Sequence, residues 1–186
     1  MAGGRTLLDS KGLAQAIEKL AISVIDKGRA EPNKGELAII GIRRRGVPLG
    51  SRLVDELARR TGKRPLFGVL DITLYRDDLT LVAEQPVVSK TEVDFPVEGK
   101  RCVLVDDVLF TGRTVRAAID ALMDLGRPAR IELAVVVDRG WRELPISADH
   151  VAEKVPTSLR EVIKVHVKEI DGDDGAEVIV RPEDVK

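Results

Sequence analysis

Apolar positions recur along this chain in two registers, and the register changes as the chain proceeds. Over residues 13–25, Leu13, Ala14, Ile17, Leu20, Ala21, Val24 and Ile25 return every three or four positions, which predicts a helix with one buried face. Asp9 or Ser10 stands where its cap belongs, and Gly28 with Pro32-Asn33 is the expected stop. Residues 37–42 are nearly all apolar and predict a buried strand, followed by a helix with Leu49, Leu53, Val54, Leu57 and Ala58 inward. A turn at Gly62 and Pro65 precedes a second strand over 66–72. Residues 102–105 form a wholly apolar run, as a strand buried on both faces requires. Val115, Ala117, Ala118, Ile119, Leu122 and Met123 then take up helical spacing, and after Gly126-Arg127-Pro128 comes a strand over 131–137. In the tail, Val162, Lys164, His166 and Lys168 alternate against Ile163, Val165 and Val167; a turn over 171–175 and residues 177–180 complete a hairpin.

Strands alternating with helices predict an α/β fold: a mainly parallel twisted sheet flanked by helices, with ligand loops at the C-terminal ends of its strands. Residues 73–93 break the pattern. A segment this long with little periodicity reads as a functional flap or a disordered excursion. The chain reads as one domain over 1–186, with a core over about 13–145, the flap over 73–93 and the strand tail over 162–180.

Composition narrows the chemistry. Hydrophobic residues make up 44% and charged residues 33% of the 186, yet the formal net charge is −1, so nothing draws the whole molecule to nucleic acid or anionic membrane. The one cysteine, Cys102, lies inside an apolar strand, which excludes a disulfide framework and points to a reducing cytoplasm. His150 and His166 are too far apart in sequence for a zinc motif, and no apolar run is long enough to span a membrane.

The most informative stretch is 101–118, RCVLVDDVLFTGRTVRAA. Asp106 and Asp107 end the apolar run where a parallel strand reaches the rim of its sheet, and Thr111-Gly112-Arg113-Thr114 opens the next helix. A strand, a polar turn and a helix N-terminus in that order make an anion site, since unpaired N–H groups point at the ligand and Gly112 lets it approach closely. Two carboxylates beside a phosphate cradle suit a sugar phosphate. The cradle takes the phosphate, and the carboxylates accept from ribose hydroxyls and help to hold a divalent cation. A second loop, 41–48, packs three arginines between two glycines. Its G-x-x-x-x-G spacing is that of a P-loop, but Val47-Pro48 replaces the Lys-Ser/Thr, so nucleoside triphosphate hydrolysis is not supported.

Residues 103–114 resemble the phosphoribosyl-pyrophosphate (PRPP) motif of type I phosphoribosyltransferases. Asp-Ile-Thr-Leu-Tyr-Arg-Asp-Asp-Leu over 71–79, Val-Asp-Arg-Gly-x-Arg-Glu-Leu-Pro-Ile over 137–146, Gly126-Arg127-Pro128 and Pro156-Thr157-Ser158 are similar to the PyrR family. Members of that family are uracil phosphoribosyltransferases that also regulate pyrimidine operons by binding their mRNA. The resemblance implies Mg²⁺, PRPP, uracil and UMP or UTP as ligands, pyrimidine leader mRNA as a partner, and a homodimer or homotetramer. It implies that Asp106, Asp107 and Arg45 are catalytic, with Asp106 and Asp107 meeting Mg²⁺ mostly through PRPP and water. PRPP and UMP would be bound by Arg44, Arg45, Gly46, Asp106, Asp107, Val108, Leu109, Phe110, Thr111, Gly112, Arg113, Thr114, Arg139 and Ile163. Asp71, Tyr75 and Arg76 would belong to the flap, which the resemblance implies forms a small hood with the tail strands, and Lys19, Arg142 and Lys154 to the RNA face.

Against the sister families, hypoxanthine-type enzymes place an acidic residue just before the Thr-Gly pair, where this chain has Phe110. The glycine-rich base-binding segment of stand-alone uracil phosphoribosyltransferases is also absent. On the RNA face the family's basic positions are thinned, with Ile22, Trp141, Ser147 and Glu153 at four of them. Two alternatives stay open at this point: an RNA-binding attenuator with vestigial catalysis, and a phosphoribosyltransferase for another base.

Overall fold

The computed structural model describes residues 4–31, 35–76 and 90–180; Pro32-Asn33 and residues 77–89 of the flap lie outside them. The elements are β1 (Arg5–Leu8), α1 (Ser10–Ala30), β2 (Leu37–Ile42), α2 (Gly46–Thr61), β3 (Leu66–Leu70) and a 3-10 turn (Thr73–Tyr75). They continue with β4 (Arg101–Leu109), α3 (Arg113–Met123), β5 (Arg130–Asp138), β6 (His150–Lys154), β7 (Glu161–His166), α4 (Lys168–Asp171) and β8 (Gly175–Val180). Five strands form a parallel sheet in the order β3-β2-β4-β5-β6, and β1-β8-β7 form an antiparallel sheet beside it. No helix among the described residues is long and apolar enough to cross a membrane.

The period-2 alternation of each central strand feeds two cores. Val103 and Val105 of β4 face a cluster with α1 and α2, while Cys102 and Leu104 face a second cluster with α3. Ile163 and Val165 of β7 and Ala176 and Val178 of β8 join the first cluster, so the small sheet shares the core of the large one. Asp9 caps α1, its Oδ1 accepting from Gly12 N–H at 2.7 Å. That cap is worth about 1 kcal/mol, whereas each fully buried Leu or Val contributes about 1.5–3 kcal/mol. Packing of Leu13, Leu20 and Val24 therefore fixes the helix, and it runs through Gly28 to Ala30 instead of stopping there. Gly28 serves another purpose: a Cβ there would lie 2.6 Å from Arg101 Nη1.

Arg101 belongs to a buried polar cluster at the N-terminal ends of β4, β5 and β6. Its Nε and Nη2 donate to the two oxygens of Glu132 at 3.0 and 2.8 Å, and His150 Nε2 lies 2.8 Å from Glu132 Oε2. Burial alone would push the Glu132 carboxyl up. The bonds from His150 and Arg101 outweigh it and hold the group at about 2.

Several expectations need correction. The second predicted strand ends at Leu70, not at residue 72, because Asp71 turns its carboxylate back onto Thr73. Met123 is 59% exposed at the end of α3, where the helix no longer faces the sheet. Lys168 does not extend the tail alternation but starts α4, which stands where only a turn was expected. The strands β1 and β6 carried no periodic signal and are additions.

Candidate active site

The chain passes from β2 by way of α2 to β3 on one side, then returns to β4 on the other side of β2. Ligands in open α/β sheets bind where the strand order reverses in this way. The loops that leave the C-terminal ends of β2 and β4 meet at that point. Pairing between β2 and β4 ends at Gly41–Val105, whereas β4 stays paired with β5 as far as Leu109–Asp138. Asp106 and Asp107 therefore lie within the strand, not at its end, held by β5 on one side and released by β2 on the other.

Asp106 is buried, and its Oδ1 accepts from Asp107 N–H at 2.9 Å; Asp107 Oδ1 accepts from Val108 N–H at 2.8 Å. Burial first, then the charge of Asp107 and a hydrogen bond between the two carboxyls, push Asp106 well above the usual carboxylate range. The positive charge of Arg76 works in the opposite direction. Such a pair shares a proton when nothing else neutralises it, and ribose hydroxyls or a hard cation relieve the same repulsion. Among the described residues no group of three or more His, Cys, Asp or Glu is arranged as a metal cage. The donor set thus fits a cation that brings most of its ligands with the substrate.

Beyond Leu109 the chain turns through Phe110, Thr111 and Gly112 into α3. Gly112 has φ 94°, a left-handed conformation that favours glycine, and no side chain caps the helix it starts. Thr111 Oγ1 accepts from Arg113 N–H at 3.3 Å, and its carbonyl accepts from the N–H groups of Glu143 and Leu144. Arg113 is exposed and pairs with Glu143 at 2.7 Å, while Thr114 opens the first turn half-buried. The uncapped end, with a hydroxyl on either side of Gly112, has the form of a phosphate cradle. Val108 is half-buried and Leu109 buried, so both act through packing and backbone.

The loop after β2 is pressed against β4. A Cβ on Gly46 would lie 2.1 Å from the Val105 carbonyl oxygen, so only glycine lets the loop reach the carboxylate pair. The Arg43–Arg44 peptide is cis. Arg44 is exposed, whereas Arg45 turns to the small sheet, its Nη2 donating to Asp171 Oδ1 at 2.7 Å and its Nε to Oδ2 at 3.1 Å. Arg43 donates through Nη2 to the Lys90 carbonyl and to Glu92, and its Nε is buried without an acceptor among the described residues.

On the far side of the cradle, Gly140 and Trp141 take positive φ values of 80° and 62°, and Asp138 Oδ1 accepts from Gly140 N–H at 3.0 Å. Arg139 is buried, stacks 4.1 Å from the centroid of Phe110, and donates to Thr157 Oγ1 and the Ser158 carbonyl. Arg142 folds inward onto the carbonyls of Phe110 and Ile146 and onto Asp138. Trp141 donates its indole N–H to the Thr157 carbonyl at 2.5 Å with 47% of its surface exposed. Asp138, Arg139, Trp141, Lys154 and Thr157 line a cavity of about 400 Å³. Ile163 lies apart from it, in the core beneath β7.

Asp71 is buried at the end of β3; its Oδ1 accepts from the Thr73 N–H and hydroxyl, and its Oδ2 has no partner among the described residues. Buried polar atoms are rarely left so, and the unsatisfied Asp71 and Arg43 atoms both lie at the C-terminal ends of the strands. Tyr75 turns away, its hydroxyl donating to Asp124 at 2.6 Å. Of the RNA-face residues, Lys154 is exposed, Lys19 pairs with Glu153, and Arg142 is half-buried with its guanidinium bonded to its own loop. Sequence reasoning missed Arg43, Asp171 and the Thr91–Glu92 arm that bonds β3; Arg43 alone carried a local signal, as one of the three loop arginines.

The phosphoribosyl transferase domain model matches residues 3–169. "Bifunctional protein PyrR" of Pelotomaculum thermopropionicum is 54% identical over 168 residues, covering 90% of this chain and 91% of that one. The protein of the same name from Deinococcus radiodurans is 50% identical, covering 97% of each. A hypoxanthine phosphoribosyltransferase from Trypanosoma cruzi, solved as a ternary substrates complex, superposes with a TM-score of 0.73 at 19% identity, covering 98% of this chain and 97% of that one. At that identity the likeness shows the fold alone. With the strand, carboxylate pair and cradle in place and half of all residues shared with relatives over nearly the full length, the chain belongs to the phosphoribosyl transferase domain family and, within it, to the PyrR proteins.

Proposed function

We propose that this protein transfers the phosphoribosyl group of PRPP to uracil, releasing pyrophosphate and forming UMP. The observation that carries the reading is the Asp106–Asp107 pair, with Asp106 buried and Asp107 half-buried, set between the uncapped N-terminus of α3 and an arginine loop that only Gly46 lets close. Residues 111–114 hold the 5′-phosphate, and Asp106 and Asp107 accept from the ribose hydroxyls. The loop of Arg44, Arg45 and Gly46 receives the pyrophosphate end. The C1′–oxygen bond to pyrophosphate breaks as the bond to the uracil ring nitrogen forms, and the ring proton leaves without a dedicated side-chain base. Phe110 offers no acid to a purine ring, and Arg139 fixes the base loop by stacking on it. Asp106 and Asp107 would hold Mg²⁺ by way of PRPP and water, and the ion would supply charge neutralisation for the departing pyrophosphate. Positioning and electrostatics carry the rate; no covalent enzyme intermediate is needed.

The second activity is regulatory: binding of pyrimidine-operon leader mRNA under control of UMP, in the cytoplasm. Its support is membership of a family whose relatives are called bifunctional, since the face itself is sparsely charged, with Lys19 matched by Glu153 and Lys27 by Asp149. Residues 1–186 act as one domain on this reading, consistent with the core shared by both sheets. Assembly as a homodimer or homotetramer accords with exposed Leu74, Met123 and Leu125 at one corner of the fold. Uracil-dependent pyrophosphate release from PRPP tests the catalytic reading. A salt-dependent, UMP-stimulated mobility shift of a pyrimidine leader RNA tests the regulatory one.

A further inference from the structure

Arg45 is the N-cap residue of α2, directly before the glycine that packs on β4, yet its guanidinium forms a fork on Asp171, the last residue of α4. Asp171 Oδ2 is itself fixed by the Val167 N–H at 3.0 Å. Seven residues on, two turns along the same face of α2, Arg52 makes a second fork on Glu169 at 3.0 and 2.5 Å and reaches Asp174 at 2.8 Å. The helix that begins at the pyrophosphate loop is thus tied to the small sheet at two points, and the tie nearer the ligand is Arg45–Asp171. The bond from Arg45, then that from Val167, holds the Asp171 carboxyl at about 2, so the pair stays ionised across the neutral range.

We infer that Asp171 is a positioning residue for the pyrophosphate end of PRPP. By drawing Arg45 to the small sheet it fixes the 43–46 loop, and Arg45 acts as a strut, not as a direct ligand, leaving exposed Arg44 and the loop backbone to meet the diphosphate. This inference rests on the reading of the loop as the pyrophosphate site. Mere support of the fold is carried by the Arg52 forks and the shared core, which an Asp171 variant leaves in place.

The test compares Arg45→Ala, Asp171→Asn, the double variant and the charge swap Arg45→Asp with Asp171→Arg. Steady-state constants for PRPP and uracil, pyrophosphate inhibition and amide exchange at residues 43–46 are measured on each. Each single variant raises KM for PRPP and the pyrophosphate inhibition constant about tenfold, with KM for uracil changed less than about threefold. The double variant is no worse than either single one, the swap recovers most of the loss, and loop amides exchange faster in both singles. Tighter pyrophosphate binding by Asp171→Asn would show that Arg45, once released, is itself the ligand, and would overturn the inference. So would unchanged PRPP binding, or losses that multiply in the double variant. If the wild type gives no uracil-dependent turnover, the site reading fails instead, and the exchange of residues 43–46 still decides whether Asp171 positions the loop.

Discussion

Gly46→Ala tests how closely the arginine loop must approach the carboxylate strand. The added Cβ would meet the Val105 carbonyl oxygen at 2.1 Å, the Val105 carbonyl carbon at 3.1 Å and Asp106 Cα at 3.5 Å. Relief requires about 1 Å of movement, since close-packed interiors do not tolerate carbon–oxygen contacts much below about 3 Å. The strand side is rigid, because Val105 is paired with Gly41 on one flank and Ala134 on the other. The loop and the first turn of α2 must therefore move. Overpacking of this kind costs about 1–3 kcal/mol, which lowers Tm by about 3–10 °C in a domain of this size. A displacement of about 1 Å at a reacting end costs on the order of a hundredfold in rate. Thermal melting and kcat/KM for PRPP read the two effects separately, and KM for uracil stays near the wild-type value because the base loop lies beyond the cradle. A Gly46→Ala protein with wild-type melting and wild-type kcat/KM would refute the close-approach argument.

On the proposed reading Asp106→Asn keeps the shape but loses the charge that would meet the ribose hydroxyls, and kcat falls by about a hundredfold or more with the melting temperature unchanged or raised, since buried Asp106 no longer faces the like charge of Asp107. Glu132→Gln leaves the buried Arg101 charge uncompensated and costs about 3–5 kcal/mol, read as a large drop in Tm with little change in KM. The Glu132 carboxyl is lowered from 4.5 to about 2 in the folded state, so its contribution is present above about pH 5 and is lost as the pH falls between those two values. Acid melts of the wild type show that loss, and Glu132→Gln does not. Burial pushes the Cys102 thiol up to about 11, so it resists alkylation at pH 8 in the native protein and reacts only in denaturant.

The large sheet was legible because its central strands are apolar runs of the right length between helical patterns, as residues 37–42 and 102–105 illustrate. β6 was not, since its sequence HVAEK carries a polar edge strand whose place depends on His150 reaching Glu132 far away in sequence. β1 has four residues and exists because β8 offers it a partner. The cradle and the carboxylate pair could be read locally, because strand, Asp-Asp, Thr-Gly and helix follow one another along the chain. The direction of an arginine could not. Arg45 was expected at the pyrophosphate, and its pairing in the structure with Asp171, 126 positions away, is one that no spacing announces. Arg142 was expected on the RNA face, and its bonds to the carbonyl oxygens of Gly140, Ile146, Leu109 and Phe110 depend on a loop closure that no spacing announces.

The central claim is met most directly by initial rates of nucleotide formation from PRPP and Mg²⁺ with uracil, hypoxanthine, guanine, adenine and orotate offered separately. The account predicts UMP from uracil and no nucleotide from the purines. Formation of a purine nucleotide at a comparable rate, or of none from uracil in protein that binds UMP tightly, would contradict it.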